Sequence, residues 1–231
     1  MTQPTFHIVF ALFPGVTHLD FTGPQQFLCR LPGGKITMTS PDGADITSDG
    51  LTFANLTPIG EIEHCDMICV PGGFGTTAAC NDEAFVGHIR RLGLGAKYVT
   101  SVCTGSLLLG AAGLLKGRRA ACHWAWRDLL PLFGAIEDDG RVVRDGNVIT
   151  GGGVTAGIDF ALTILTEVAG EDFAKTMQLN LEYAPAPPFS AGRPETAPKE
   201  ILDGALRMYS VLRPQRDAEA RQAADRLAAL A

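Results

Sequence analysis

Apolar and polar positions fall in blocks along the chain, and the blocks predict strands and helices in alternation. Phe6-His7-Ile8-Val9-Phe10-Ala11-Leu12-Phe13 is an almost unbroken apolar run halted by Pro14-Gly15, which suits a strand buried on both faces. Asp20-Phe21-Thr22-Gly23-Pro24 leads into a helix over residues 25–31, with Pro24 in the first turn, where its missing N–H does no harm. Residues 35–40 predict a second strand, and residues 46–55, broken at Asp49-Gly50, a hairpin. Residues 65–70 form another buried run that passes straight into Pro71-Gly72-Gly73-Phe74-Gly75. Asn81 offers a cap for a helix over residues 82–92, with Asp82 and Glu83 in its first turn. A strand over residues 97–102 is followed by Cys103-Thr104-Gly105 and a small-residue helix, 106–112, ended by Gly113. Residues 123–132 read as helix, and 141–144 and 147–150 as short strands. Gly151-Gly152-Gly153 then turns into a helix over residues 155–169.

Strands alternating with helices across short loops predict an α/β fold, a mostly parallel sheet with helices on both faces. The pattern changes after residue 182. Tyr183-Ala184-Pro185-Ala186-Pro187-Pro188-Phe189 is extended by its prolines. Beyond it, residues 199–212 and 215–230 predict two helices joined at Arg213-Pro214, the second rich in Ala, Arg, Asp and Glu and read as a solvated face. The expected division is an α/β domain over residues 1–190 and a helical extension over residues 191–231, packed on the domain or on a dimer partner.

Composition narrows the function classes. The 231 residues are 46% hydrophobic and 19% charged, enough apolar surface for a sizeable core without disulfide staples. Net charge is −6 and the longest basic clusters are Arg90-Arg91 and Lys116-Gly117-Arg118-Arg119, so nucleic acid is not an expected partner. No apolar run approaches the ~20 residues of a membrane span. Met1-Thr2-Gln3-Pro4 does not open a secretory signal, so the expectation is a cytoplasmic protein. The six cysteines contain no Cys-x-x-Cys pair and the five histidines no His-x-x-x-His pair, so no zinc site is expected.

Cys103 differs from the other five cysteines in its position. A thiol between a strand end and a helix start faces the crevice where open α/β sheets bind ligands, and the helix amides there favour thiolate. Small neighbours permit a tight strand-to-helix elbow, whose amides can also hold an anionic intermediate. Cys29, Cys65, Cys69, Cys80 and Cys122 read as packed thiols. In a parallel sheet, Pro71-Gly72-Gly73 and the loop holding Thr17-His18-Leu19-Asp20 converge on the same edge. Asp20 is then either a helix cap or, partly buried beside the thiol, a proton carrier.

Phe13-Pro14-Gly15 through Asp20, Pro71-Gly72-Gly73 and Ser101-Val102-Cys103-Thr104-Gly105 resemble the DJ-1/PfpI superfamily. Leu19-Asp20-Phe21-Thr22-Gly23-Pro24, His123-Trp124, Arg141-Val142-Val143-Arg144-Asp145-Gly146-Asn147 and Leu181-Glu182-Tyr183-Ala184-Pro185-Ala186-Pro187-Pro188-Phe189 extend the resemblance to the isocyanide hydratase branch. The resemblance implies a flavodoxin-like domain, a homodimer, and addition of water to an isocyanide to give an N-substituted formamide, with no cofactor or metal. It implies catalytic roles for Cys103, Asp20 and Thr104, with Gly72, Gly73, Thr104 and Gly152 bordering the substrate. His123 reads more readily as a cap or core partner than as a catalyst. Phe74, Trp124, Trp126 and Tyr183 are candidates for an apolar lining.

Thr104 follows the cysteine where superfamily proteases are expected to carry His, which weakens a protease reading. The ~40 residues after Ser190 are too few for a double helix-turn-helix regulator. A glyoxalase-like or redox-sensing stress protein using the same cysteine is the alternative.

Overall fold

The computed structural model describes residues 5–229, so the leader expectation on Met1–Pro4 and the end of the last helix at Leu230 lie outside the described residues. In chain order the strands and helices are β1 (Phe6–Ala11), α1 (Leu19–Leu28), β2 (Gly34–Ser40), β3 (Ile46–Ser48), β4 (Leu51–Phe53), β5 (Thr57–Pro58), β6 (Met67–Val70), α2 (Thr76–Ala79), α3 (Glu83–Gly95), β7 (Tyr98–Val102) and α4 (Gly105–Ala111). There follow β8 (Arg119–Ala120), β9 (Ile136–Glu137), β10 (Val142–Asp145), β11 (Val148–Gly151), α5 (Ala156–Ala169), α6 (Glu171–Asn180), α7 (Lys199–Ser210) and α8 (Arg213–Ala229).

Seven strands form the central sheet in the order β10-β11-β7-β6-β1-β2-β5, all parallel except the β10–β11 hairpin. From β1 the chain first builds outward through β2 and β5, then returns to lay β6 on the other side of β1. That reversal opens a crevice beyond the strand C-termini, between the loops after β1 and β6. Val9, Phe10, Ile68, Cys69 and Val70 are wholly buried, as two-sided burial of a parallel sheet requires. The α/β expectation, with a mostly parallel sheet, flanking helices and helices at the C-terminus, matches this architecture.

Several boundaries move for local reasons. Helix α1 starts at Leu19 rather than residue 25, so Asp20 lies in its first turn and caps nothing, and Pro24 sits inside it. Pro24 is tolerated because its ring fills space against α5, where a Cβ added to Gly157 would lie 3.0 Å from Pro24 Cδ. The cap of α3 is Asp82, which accepts from the Phe85 amide, and not Asn81. Asn81 instead donates from its side-chain amide to the Thr77 and Glu219 carbonyls. The segment expected as helix over residues 123–132 is a 3-10 helix at Arg127–Phe133, with Pro131 inside it. Helices α2 and α6 had no counterpart in the sequence reading.

The second terminal helix is solvated on one side only. Helix α8 packs against α2, α4 and the 3-10 segment, and it buries Arg216, Ala220 and Ala223. The Arg/Asp/Glu content that suggests a solvated face describes only its outer side.

Candidate active site

Cys103 follows β7 and precedes α4 with φ +59°, a left-handed backbone that a non-glycine residue rarely adopts. The bend is held by the Cys103 amide donating to the Gly151 carbonyl at 3.0 Å. It also requires bare backbone opposite: a Cβ on Gly72 would lie 2.4 Å from the Thr104 nitrogen, and one on Gly105 2.0 Å from the Val70 oxygen. The glycines of the β6 loop thus let two loops touch.

The first two loops are stitched by backbone bonds, Thr17 amide to Gly72 carbonyl at 2.9 Å and Gly75 amide to Gly15 carbonyl at 3.0 Å. They bring Asp20 to the thiol. The carboxyl is fully buried, and its Oδ2 accepts from the Gly72 amide at 2.9 Å. Its Oδ1 is the one buried side-chain N or O atom without a hydrogen-bond partner among the described residues. Burial raises Asp20 from 3.8 to about 7, against the lowering pull of the Gly72 amide and of the neighbouring Cys103 thiol.

Cys103 shares this burial. Desolvation, with the Asp20 and Cys122 charges, pushes its thiol well above the ordinary range, and the Thr104 amide pulls the other way. Burial thus favours the neutral form of both groups, with Asp20 raised to about 7. Removal from water opposes the thiolate that the amide at the helix start favours.

The other candidates divide. Thr104 joins the site through its amide, while its hydroxyl lies 2.8 Å from Thr76 Oγ1 and accepts from the Gly73 amide at 3.0 Å. The Gly73 amide is thereby engaged and is not a free oxyanion donor; the Gly72 amide holds Asp20 instead. Gly72 and Gly152 do not line the cavity at Cys103, and the Gly152 amide donates to the Arg141 carbonyl at 2.9 Å.

That cavity is about 90 Å³. Thr17, Gly73, Phe74, Cys103, Thr104, His123, Trp126, Val154, Tyr209 and Arg216 line it. Phe74 and Trp126 therefore serve as lining. Trp124 stacks on His123, and Tyr183 hydrogen-bonds Asp159 on α5, away from the cavity. His123 reaches the cavity, yet burial and Arg216 lower it to about 4, so its ring is neutral at physiological pH. A larger cavity, about 630 Å³ beside Phe21 and Phe53, has no titratable side chain in its lining. Among the described residues no group of three His, Cys, Asp or Glu side chains is placed to hold a metal ion.

Tyr209, Arg216, Thr76 and Val154 were missed in the sequence. Arg216 had no available signal, since a lone Arg in an Ala/Arg/Asp/Glu helix looks the same whether it points outward or inward.

A cysteine on a strained strand-to-helix elbow, beside a buried acid at the open edge of a parallel sheet, defines an α/β protein of the cysteine-elbow class. The chain belongs to the DJ-1/PfpI family, whose model matches residues 7–167. It is 53% identical over 201 residues to an isonitrile hydratase of Pseudomonas putida, covering 86% of this chain and 87% of that one. Protein dj-1beta of Drosophila melanogaster is 26% identical over 166 residues, covering 70% of this chain and 88% of that one. Among solved structures, a THiJ/PfpI family protein from Pseudomonas syringae superposes with a TM-score of 0.90 at 39% identity, covering 96% of this chain and 92% of that one. No helix among the described residues is long and apolar enough to cross a membrane.

Proposed function

We propose that the chain is an isocyanide hydratase, converting R–N≡C and water to R–NH–CHO through a covalent thioimidate on Cys103. The observation that carries the reading is the pairing of the elbow thiol of Cys103 with the fully buried carboxyl of Asp20, which burial raises to about 7. An isocyanide carbon takes up a nucleophile and a proton at the same atom, and this pair supplies both. Asp20 accepts the thiol proton as sulfur attacks, then delivers it to that carbon, giving R–N=CH–S–Cys103. Water adds across C=N with Asp20 as base, and the tetrahedral adduct collapses to formamide and regenerated thiol. A carboxyl near pKa 7 suits both transfers, being ready to accept and to donate at working pH. The Thr104 amide steadies negative charge on sulfur as it develops. The 53% identity to an isonitrile hydratase supports the same reaction.

A redox-sensing role for Cys103 fits less well, because sensors need exposed thiols of low pKa and this one is buried with a raised pKa. The proposal includes a homodimer in the cytoplasm, and light scattering that gave 24.5 kDa would remove the dimer.

The test is turnover of p-nitrophenyl isocyanide, followed by formamide absorbance, with Cys103→Ala inactive. Mass spectrometry during turnover should find the substrate's mass added to Cys103 alone. Consumption of methylglyoxal with no action on isocyanides would replace this reading with the glyoxalase alternative.

A further inference from the structure

The cavity at Cys103 is closed by residues far from the elbow in sequence. Tyr209 and Arg216, from α7 and α8, form part of its wall, and Arg216 is only 4% exposed. A buried arginine requires partners on every side. Its Nη2 donates to the Gly73 carbonyl at 3.2 Å and to the Phe74 carbonyl at 2.8 Å. Its guanidinium carbon lies 4.3 Å from the centroid of the Trp126 ring and 5.5 Å from that of Phe74. The carbonyls it holds belong to the loop whose Gly73 amide engages Thr104 and whose Gly72 amide holds Asp20.

Arg216 is also the one formally charged side chain among the described residues lining the cavity, His123 being neutral. The titratable groups around the sulfur are Asp20 of α1, Cys122 and His123 after β8, Tyr209 of α7 and Arg216 of α8. Asp20, Cys122 and Tyr209 can each add negative charge but no positive charge. Behind Arg216, Glu219 accepts from Thr77 Oγ1 at 2.6 Å and from Gln215 Nε2 at 2.8 Å. An ionised Cys103 would favour the charged form of Arg216.

We infer that Arg216 is a positioning residue of the Cys103 site, clamping the Gly73–Phe74 wall and facing its positive charge toward the sulfur as negative charge develops there. The C-terminal extension is then part of the active site and no mere appendage. The inference deepens the hydratase reading and rests on it for the reaction served, but its test needs no isocyanide.

The measurement is the pH profile of iodoacetamide alkylation at Cys103, read peptide by peptide by mass spectrometry in the full chain. Arg216→Gln keeps a donor for the two carbonyls and removes the charge. Its midpoint should rise by about one unit, with alkylation about tenfold slower below the midpoint. Arg216→Lys keeps the charge without the planar fork, so its midpoint should stay near wild type. A structural clamp alone would leave the Gln midpoint unchanged, and that superposition in a folded variant overturns the inference.

Should Arg216→Gln lose its cooperative melt, Glu219→Gln decides. Removing the carboxylate that offsets Arg216 should lower the midpoint, and an unchanged or raised midpoint overturns the inference. Failure of every form to hydrate isocyanides would sink the hydratase reading and leave these profiles to be judged separately.

Discussion

Asp20→Asn provides the sharpest test of the site because it separates stability from activity. Asp20 moves from 3.8 to about 7 on burial, roughly three units, or about 4 kcal/mol at 1.36 kcal/mol per unit. Below pH 3.8 both folded and unfolded chains hold the proton and the group has no effect. Between 3.8 and about 7 the unfolded chain releases it while the folded chain keeps it, so stability falls as pH rises. Above 7 the whole cost remains. The amide of Asn never ionises and escapes this cost, but it places an NH2 where Oδ1 now lacks a partner, an unsatisfied group that costs about 1–3 kcal/mol at any pH.

The variant should therefore be about 1–3 kcal/mol less stable than wild type at pH 4 and about 1–3 kcal/mol more stable at pH 8. At about 2–4 °C per kcal/mol for a chain of this size, the Tm difference should swing by roughly 8–16 °C across that range. Thermal melts followed by circular dichroism at half-unit pH steps measure it. Turnover should meanwhile fall by about 10²–10⁴-fold, the usual worth of a positioned acid/base. A Tm difference that stayed flat from pH 4 to 8 would show that Asp20 does not titrate near neutrality, and the proton-transfer assignment would go with it.

Three further outcomes follow from the geometry. Cys103→Gly should melt above Cys103→Ala by about 1 kcal/mol, since the φ of +59° strains alanine but not glycine; equal melts would deny the strain. Gly72→Ala should destabilise by about 1–3 kcal/mol and abolish turnover, because its Cβ would sit 2.4 Å from the Thr104 nitrogen; an active variant of normal stability would refute the close contact. His123→Asn should leave the pH–rate profile with the same limb near 7, because the His123 ring titrates near 4 and Asp20 near 7; loss of that limb would transfer it to the imidazole.

The chain's own order of residues made the architecture legible wherever the signal was short-ranged. Continuous apolar runs at β1 and β6 marked strands buried on both faces, Asp49-Gly50 marked the β3–β4 turn, and the junction at Val102–Gly105 singled out Cys103 from six cysteines. Pro24 misplaced the start of α1 because a local rule about helix first turns gave way to packing against Gly157 of α5. Other properties belong to no residue alone. The charge state of Asp20 and Cys103 depends on how much water the assembled loops exclude, and desolvation opposes the anionic sulfur that helix-start chemistry favours. Arg216 stands 143 residues from the Gly73 carbonyl it holds, and nothing in the α8 sequence marks it as turned inward. Hydrophobic periodicity and turn chemistry act between neighbours and can be read in one dimension. Burial, which decides protonation and which arginine meets the thiol, is a sum over the whole packed molecule and exists only once it has folded.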